Sequence, residues 1–260
     1  MGIGLIAGTG LDFLSPKERW SEVPTPYGPA YLAAAVLGGR QVVLLRRHGP
    51  ASNIPPHLIN YHANLWALRE AGVRRVLATA AVGSLKKEVQ PGSLAVVCDF
   101  IDFTRRRQTT AFDRPGAAVA HVDFSTPYCP EISGAFEQAA SESGIALGRR
   151  VTYVCVDGPR YETPAEVGMF AKWGGDVVGM TGVPEAVLAR EMGMCYGALA
   201  IVTNYAAGIL DRHISHQDVL KCVADCRRQV QNILERAAAK LSKTCACCRA
   251  MDDESTASAR

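Results

Sequence analysis

Gly197-Ala-Leu-Ala-Ile-Val-Thr-Asn204 is the stretch on which the fold turns. Its apolar run, Gly197 to Val202, is short and unbroken, the pattern of a strand buried on both faces of a sheet. The strand is predicted over Ala198 to Thr203, so Asn204 stands at its carboxyl end. Working outward, similar runs occur at Gly4 to Ala7, Gln41 to Leu45, Val76 to Ala80, Leu94 to Cys98, Val151 to Val156 and Asp176 to Met180. Amphipathic stretches with helix punctuation lie between them. Asn60 to Ala71 is closed by Gly72, Ser133 to Ser143 is opened by its serine and closed by Gly144, and Pro164 to Trp173 starts on proline and stops at Gly174-Gly175. Val183 to Glu191 ends before Gly193, and a last helix runs from Ser215, with Asp218 in a capping-box-like position, to Leu241. Strands alternating with helices make an α/β domain, and residues 1–241 are read as one such unit.

A second stretch, Gly158-Pro-Arg-Tyr-Glu-Thr163, supplies a carboxylate to stand beside the carboxamide of Asn204. An ionised Glu162 only accepts hydrogen bonds, which suits the N1–H of a 6-oxopurine and the 2-amino group of guanine. Asn204 both donates and accepts, which suits O6 and N7 on the other edge. Adenine, with no N1–H and an amino group at C6, would leave buried polar groups unpaired in such a site. Taken singly, Glu162 reads as a loop carboxylate and Asn204 as a turn residue.

Several strand ends look built for an anion. Ala7-Gly8-Thr9-Gly10 offers backbone N–H groups and a hydroxyl, although it is neither a Walker A loop nor G-x-G-x-x-G. Arg47-His48-Gly49 adds a guanidinium and an imidazole. Met180-Thr181-Gly182 brings another hydroxyl, and Ala80-Ala81-Val82-Gly83 brings small residues where backbone must approach a ligand closely. Each alone is a strand-end turn. Together they fall at the carboxyl ends of predicted strands, the edge where open α/β sheets bind ligands.

Composition narrows the classes. A formal net charge of +3 gives no reason for a nucleic-acid or membrane partner, and the short clusters Arg46-Arg47, Arg74-Arg75, Arg105 to Arg107 and Arg149-Arg150 read mostly as solvated faces. The amino terminus lacks a basic leader and no apolar run reaches 18 residues, so a cytoplasmic protein is expected. Nine cysteines show no disulfide-framework spacing. Cys98, Cys129, Cys155, Cys195, Cys222 and Cys226 read as small buried hydrophobes. Cys245, Cys247 and Cys248 sit in residues 242–260, expected to be a flexible tail that is redox-sensitive or disulfide-forming. A zinc site there, drawing on Cys222, Cys226, His213 and His216, matches no usual ligand spacing, so no metal is expected.

With these residues quoted, a resemblance emerges. Gly8-Thr9-Gly10, Arg47-His48-Gly49, Asn60-Tyr61-His62-Ala63-Asn64-Leu65-Trp66-Ala67-Leu68, Gln90-Pro91-Gly92, Gly158 to Thr163 and Met180-Thr181-Gly182-Val183-Pro184-Glu185 resemble, in order from about residue 3 to 241, the trimeric purine nucleoside phosphorylase and methylthioadenosine phosphorylase family. The resemblance implies an α/β sandwich around a mixed, partly barrel-like sheet flanked by helices. It implies phosphate binding by Thr9, Arg47, His48, Ala81 through its backbone, and Thr181. Tyr161, Glu162 and Asn204 would hold the base, with Met180 under the ribose. His121, in Ala120-His121-Val122-Asp123-Phe124, resembles a residue that reaches into a neighbouring subunit's pocket, which implies a homotrimer or a dimer of trimers. Asn204, Glu162 and His48 would bear directly on catalysis, with phosphate as co-substrate and no cofactor.

At the substrate-choosing positions the chain departs from the methylthioadenosine branch. That branch carries Asp-Tyr-Asp where this chain has Asn204-Tyr205-Ala206, and Ser where it has Glu162. His216 aligns with a histidine that nucleoside phosphorylases place near the 5′-hydroxyl, where methylthio-specific members are apolar. The implied reaction is reversible phosphorolysis of inosine or guanosine to free base and ribose 1-phosphate. The alternatives are S-methyl-5′-thioinosine or S-methyl-5′-thioadenosine phosphorylase and, from another class, a non-catalytic purine-binding sensor. A dinucleotide-binding oxidoreductase is disfavoured because no G-x-G-x-x-G opens a helix after the first strand.

Overall fold

Strand β9, Cys195–Tyr205, is buried along its length until Tyr205, and the rest of the sheet is arranged about it. The computed structural model describes residues 2–8, 20–108, 110–113, 121–211, 215–242, 245 and 247. The other strands are β1 Gly2–Ala7, β2 Ser21–Thr25, β3 Gly28–Leu37, β4 Arg40–Arg46, β5 Val73–Ser84, β6 Leu94–Asp102, β7 Val151–Cys155 and β8 Val177–Gly179. The helices are α1 Tyr61–Glu70, α2 Pro130–Glu142, α3 Pro164–Lys172, α4 Gly182–Glu191 and α5 His216–Lys240.

The nine strands of the described residues belong to one mixed sheet in the order β2-β3-β4-β1-β5-β8-β7-β6-β9, and β9 returns to pair with β5. That last pairing closes β5, β8, β7, β6 and β9 into a five-stranded ring, from which β1, β4, β3 and β2 extend as an open arm. The partly barrel-like sheet implied by the family resemblance is this ring and arm. β5 makes the junction by its length: Gly2 to Ile6 pair along its first half, and β8 takes up Gly83 and Ser84 beyond the end of β1.

Alternation along the strands sends side chains to two cores. On one side Ile6, Ala198, Ala200 and Val202 pack with Leu65 and Leu68 of α1 and with Ala186 and Leu188 of α4. On the other, Leu5, Leu199 and Ile201 pack with Phe136 of α2 and with Val230, Ile233 and Leu234 of α5. A smaller cluster beneath α3 joins Val167 and Phe170 to Leu85, Val154 and Val178. Helices thus cover both faces and leave the strand ends for ligands.

Most helix ends follow the local signals. Asn60 caps α1 by accepting from Ala63 N–H, and Thr163 and Glu166 form a reciprocal capping box on α3. Ser215 caps α5 by accepting from Gln217 N–H. The exception is α2, which begins at Pro130 instead of Ser133. Proline's fixed φ suits the first turn, so Cys129 becomes the N-cap and Ser133 is buried one turn inside.

Two strands were not expected. β3, Gly28–Leu37, is alanine-rich, and β2 is short with Pro24 inside it, as an edge strand tolerates. Gly38 and Gly39, at φ +57° and +76°, turn β3 into β4 with Leu37 facing Arg40. That two-glycine turn was the available hairpin signal. Two of the arginine clusters read as solvated also hold shielded members: Arg75 is 2% exposed and bonds Glu131 in parallel, and the side chain of Arg107 is 4% exposed.

Candidate active site

The carboxyl ends of β1, β4, β5, β8 and β9 open into a cavity of about 670 Å³. Its lining includes Gly8, Arg47, His48, Ala81, Tyr161, Glu162, Met180, Thr181, Asn204 and His216. The expected base and phosphate groups therefore face a common space. Thr9 lies outside the described residues. His121 is exposed and is not part of this chain's cavity lining.

Arg47 follows β4 and is 2% exposed. Its Nε and Nη2 donate to Glu185 Oε1 and Oε2 at 2.5 and 2.8 Å, and Nη1 donates to the Thr79 carbonyl at 2.9 Å. Burial works against the guanidinium charge, but the Glu185 carboxylate more than offsets it, so the group stays above its ordinary pKa. Glu185 comes from the first turn of α4 and also accepts from Tyr196 Oη at 2.7 Å. Glu185, quoted only as part of a motif, is the main partner that sequence reading left without a role. A side chain at position 8 would strike this assembly, since a Cβ on Gly8 would lie 2.6 Å from Arg47 Nη1.

His48 has a defined tautomer because Nδ1 lies 2.8 Å from the Ile54 carbonyl, which can only accept. Nδ1 is therefore the donor, and Nε2 is the ring nitrogen left on the other side. Thr181 is the N-cap of α4, so the positive end of a helix dipole faces the cavity. Thr181 N–H and Gly182 N–H donate to the buried Tyr153 hydroxyl at 3.2 and 3.3 Å, fixing this turn. Ala81 to Gly83 of β5 line the floor between these groups.

Asn204 owes its placement to a β-bulge. Val82 pairs with Val202, but the next residue of β5, Gly83, pairs with Asn204, so Thr203 is an extra residue in β9. A bulge changes which way the following side chain points. Thr203 Oγ1 lies 2.8 Å from Asn204 Oδ1, and Asn204 Nδ2 donates to the Tyr205 carbonyl at 2.9 Å, which sets the carboxamide orientation.

Opposite stands Glu162, 8% exposed, whose pKa is raised chiefly by burial. Its loop depends on Gly158, at φ +66°, where a side chain would collide with Met180. Arg107 holds the same corner from behind: Nη1 donates to the Met180 carbonyl and Nη2 to the Asp157 carbonyl, at 2.5 and 2.6 Å. Tyr161 is partly exposed over the cavity, and His216, at the start of α5, lines its mouth with Val219 and Leu220. The arrangement joins a half with a guanidinium, an imidazole and a helix N-terminus to a half with one carboxylate and one carboxamide.

No described helix is long and apolar enough to cross a membrane. Among known proteins, the sequence pattern of the phosphorylase superfamily matches residues 2–239. The 6-oxopurine nucleoside phosphorylase of Pyrococcus furiosus is 48% identical over 225 residues, covering 84% of this chain and 85% of that protein. A probable S-methyl-5′-thioinosine phosphorylase of Methanopyrus kandleri is 43% identical over 253 residues, covering 96% and 97%. Among solved structures, methylthioadenosine phosphorylase from Schistosoma mansoni in complex with adenine superposes with a TM-score of 0.91 at 30% identity, covering 99% of this chain and 98% of that one. By sequence pattern, close relatives and fold alike, this chain belongs to the phosphorylase superfamily.

Proposed function

We propose that the chain catalyses reversible phosphorolysis of 6-oxopurine ribonucleosides, inosine or guanosine, to the free base and ribose 1-phosphate. The observation that carries the proposal is that Glu162 and Asn204 line the same cavity as Arg47, His48 and Thr181. Phosphate sits against the Arg47–His48 turn and the start of α4, and the family resemblance adds Thr9 to its ligands. Three of Arg47's five N–H groups bond Glu185 and Thr79, which leaves one on each terminal nitrogen for the anion. His48, with Nδ1 held by Ile54, turns its other nitrogen to phosphate.

The base lies between Tyr161 and the strand ends, with the ribose over Met180. As the C1′–N9 bond stretches, positive charge grows on the sugar and negative charge moves into the purine. Bound phosphate stabilises the cation and is the nucleophile at C1′. Asn204 donates toward N7 and Glu162 holds N1–H, so the electron-rich base is stabilised as it leaves. One well-aimed donor of this kind contributes about 3–4 kcal/mol. The mechanism calls on no cofactor.

A second reading, S-methyl-5′-thioinosine phosphorylase, draws support from the cavity mouth, where the His216 imidazole stands beside the apolar Val219 and Leu220. The active unit is a homotrimer, or a dimer of trimers, in which the exposed His121 enters a neighbour's cavity. Phosphate-dependent base release from inosine, guanosine, methylthioinosine and methylthioadenosine separates these readings. Inosine or guanosine should lead. Purine binding without phosphate-dependent release would instead identify a silent binding protein.

A further inference from the structure

At the end of β9 away from the cavity, Cys195 meets three other cysteines. Cys129 is the N-cap of α2, Cys195 opens β9, and Cys245 and Cys247 follow α5. Their Sγ atoms all lie within 4.8 Å of one another. The separations are 3.6 Å for Cys129–Cys245, 3.0 Å for Cys195–Cys247, 3.0 Å for Cys245–Cys247 and 3.5 Å for Cys247–Cys129. A tetrahedral ion with sulfur at about 2.3 Å places its ligands about 3.8 Å apart, close to this spacing. Disulfides would resolve the sulfurs into exclusive pairs. Here Cys247 faces three partners and the four converge on one point.

We propose that Cys129, Cys195, Cys245 and Cys247 form a tetrathiolate site for a structural zinc ion that ties the segment after α5 to the sheet. Zinc entry displaces the four thiol protons and leaves a cluster of net charge −2, with no change of oxidation state. The surroundings suit that charge. Arg75 of β5 pairs in register with Cys195 and is buried. Glu131, bonded to Arg75, is the acidic group facing the site. Cys129 also sits at the positive end of α2, which favours its thiolate.

Sequence spacing hid this set because Cys129 and Cys195 are 66 residues apart and come from different elements. Of the ligands considered from sequence, Cys222, Cys226 and His216 are not members, while His213 and Cys248 lie outside the described residues. Nine residues of extended strand, about 30 Å, separate Cys195 from Asn204, so the ion has a structural and not a catalytic place.

The test uses the full chain, without a metal-affinity tag, purified anaerobically with a phosphine reductant. Elemental analysis should find about one zinc per chain, and cobalt(II) exchange should produce an intense thiolate charge-transfer band with tetrahedral d–d bands. Cys129→Ser and Cys247→Ser should each lose the metal. In the unmodified chain, organomercurial titration should release the zinc to a chromogenic chelator, which keeps the test independent of how the variants fold. Less than about a tenth of a zinc per chain would overturn the proposal. So would full retention by both variants, or an intact mass showing these cysteines paired as disulfides.

Discussion

Glu185 grips Arg47 along two parallel hydrogen bonds of 2.5 and 2.8 Å, with both side chains almost fully buried. The residue expected to meet phosphate is therefore held by a carboxylate 138 positions away, and its charge is already balanced before any anion arrives. Removing either partner strands the other. Arg47→Met or Glu185→Leu should each cost about 3–5 kcal/mol of stability, and the double variant much less than their sum. Urea unfolding of the four proteins checks this; additivity to within about 0.5 kcal/mol would refute the coupling. Both singles should also raise the KM for phosphate.

Base choice is expected to rest on position 204. Asn204→Asp removes the donor toward the leaving purine and substitutes an acceptor suited to an amino group. The kcat/KM for inosine should fall by about 10²–10³, while that for adenosine holds or rises. An unchanged ratio between the two nucleosides would refute the assignment.

Glu162 gives the site a pH signature. Burial raises its pKa, so the carboxylate that accepts from N1–H forms only at higher pH than an exposed glutamate would require. The acid limb of kcat/KM for inosine should lie above the ordinary carboxylate range and vanish in Glu162→Gln. The stability consequence has the opposite sense. A carboxyl with a raised folded-state pKa contributes stability below its unfolded value, about 4.3, and loses it as pH rises through the folded value. Glu162→Gln should therefore melt higher than the parent at pH 8 and show less advantage at pH 4. A lower melting point at both pH values would contradict this.

At the cavity mouth, His216→Val removes a polar group that would be left unpaired by a 5′-methylthio substituent. The ratio of kcat/KM for methylthioinosine over inosine should rise by about tenfold or more. Steady-state kinetics with both nucleosides decides it, and an unmoved ratio would show that His216 does not read the 5′ end.

Much of this architecture was legible where local chemistry and burial agree. The buried runs, Asn60, Thr163, Ser215 and Gly72 all mark elements found in the fold. The grouping of Arg47, Thr181, Glu162 and Asn204 followed from their shared position at strand ends. What escaped was pairing over distance. Glu185 could not be matched to Arg47, Arg75 to Glu131, or Cys129 to Cys245, because no local period links them. β3 escaped for a different reason: alanines carry little strand signal, and β4 supplies the pairing that makes them one. The bulge at Thr203 was equally silent, since it is a property of two strands in register and not of one.

That inserted residue leaves a lasting mark on how such a chain can change. Up to Val202 the ladder is committed to the core, whereas beyond the bulge the tip pairs in a register shifted by one residue. Substitutions at that tip change the lining of the cavity while the packed part of the strand keeps its place in the core.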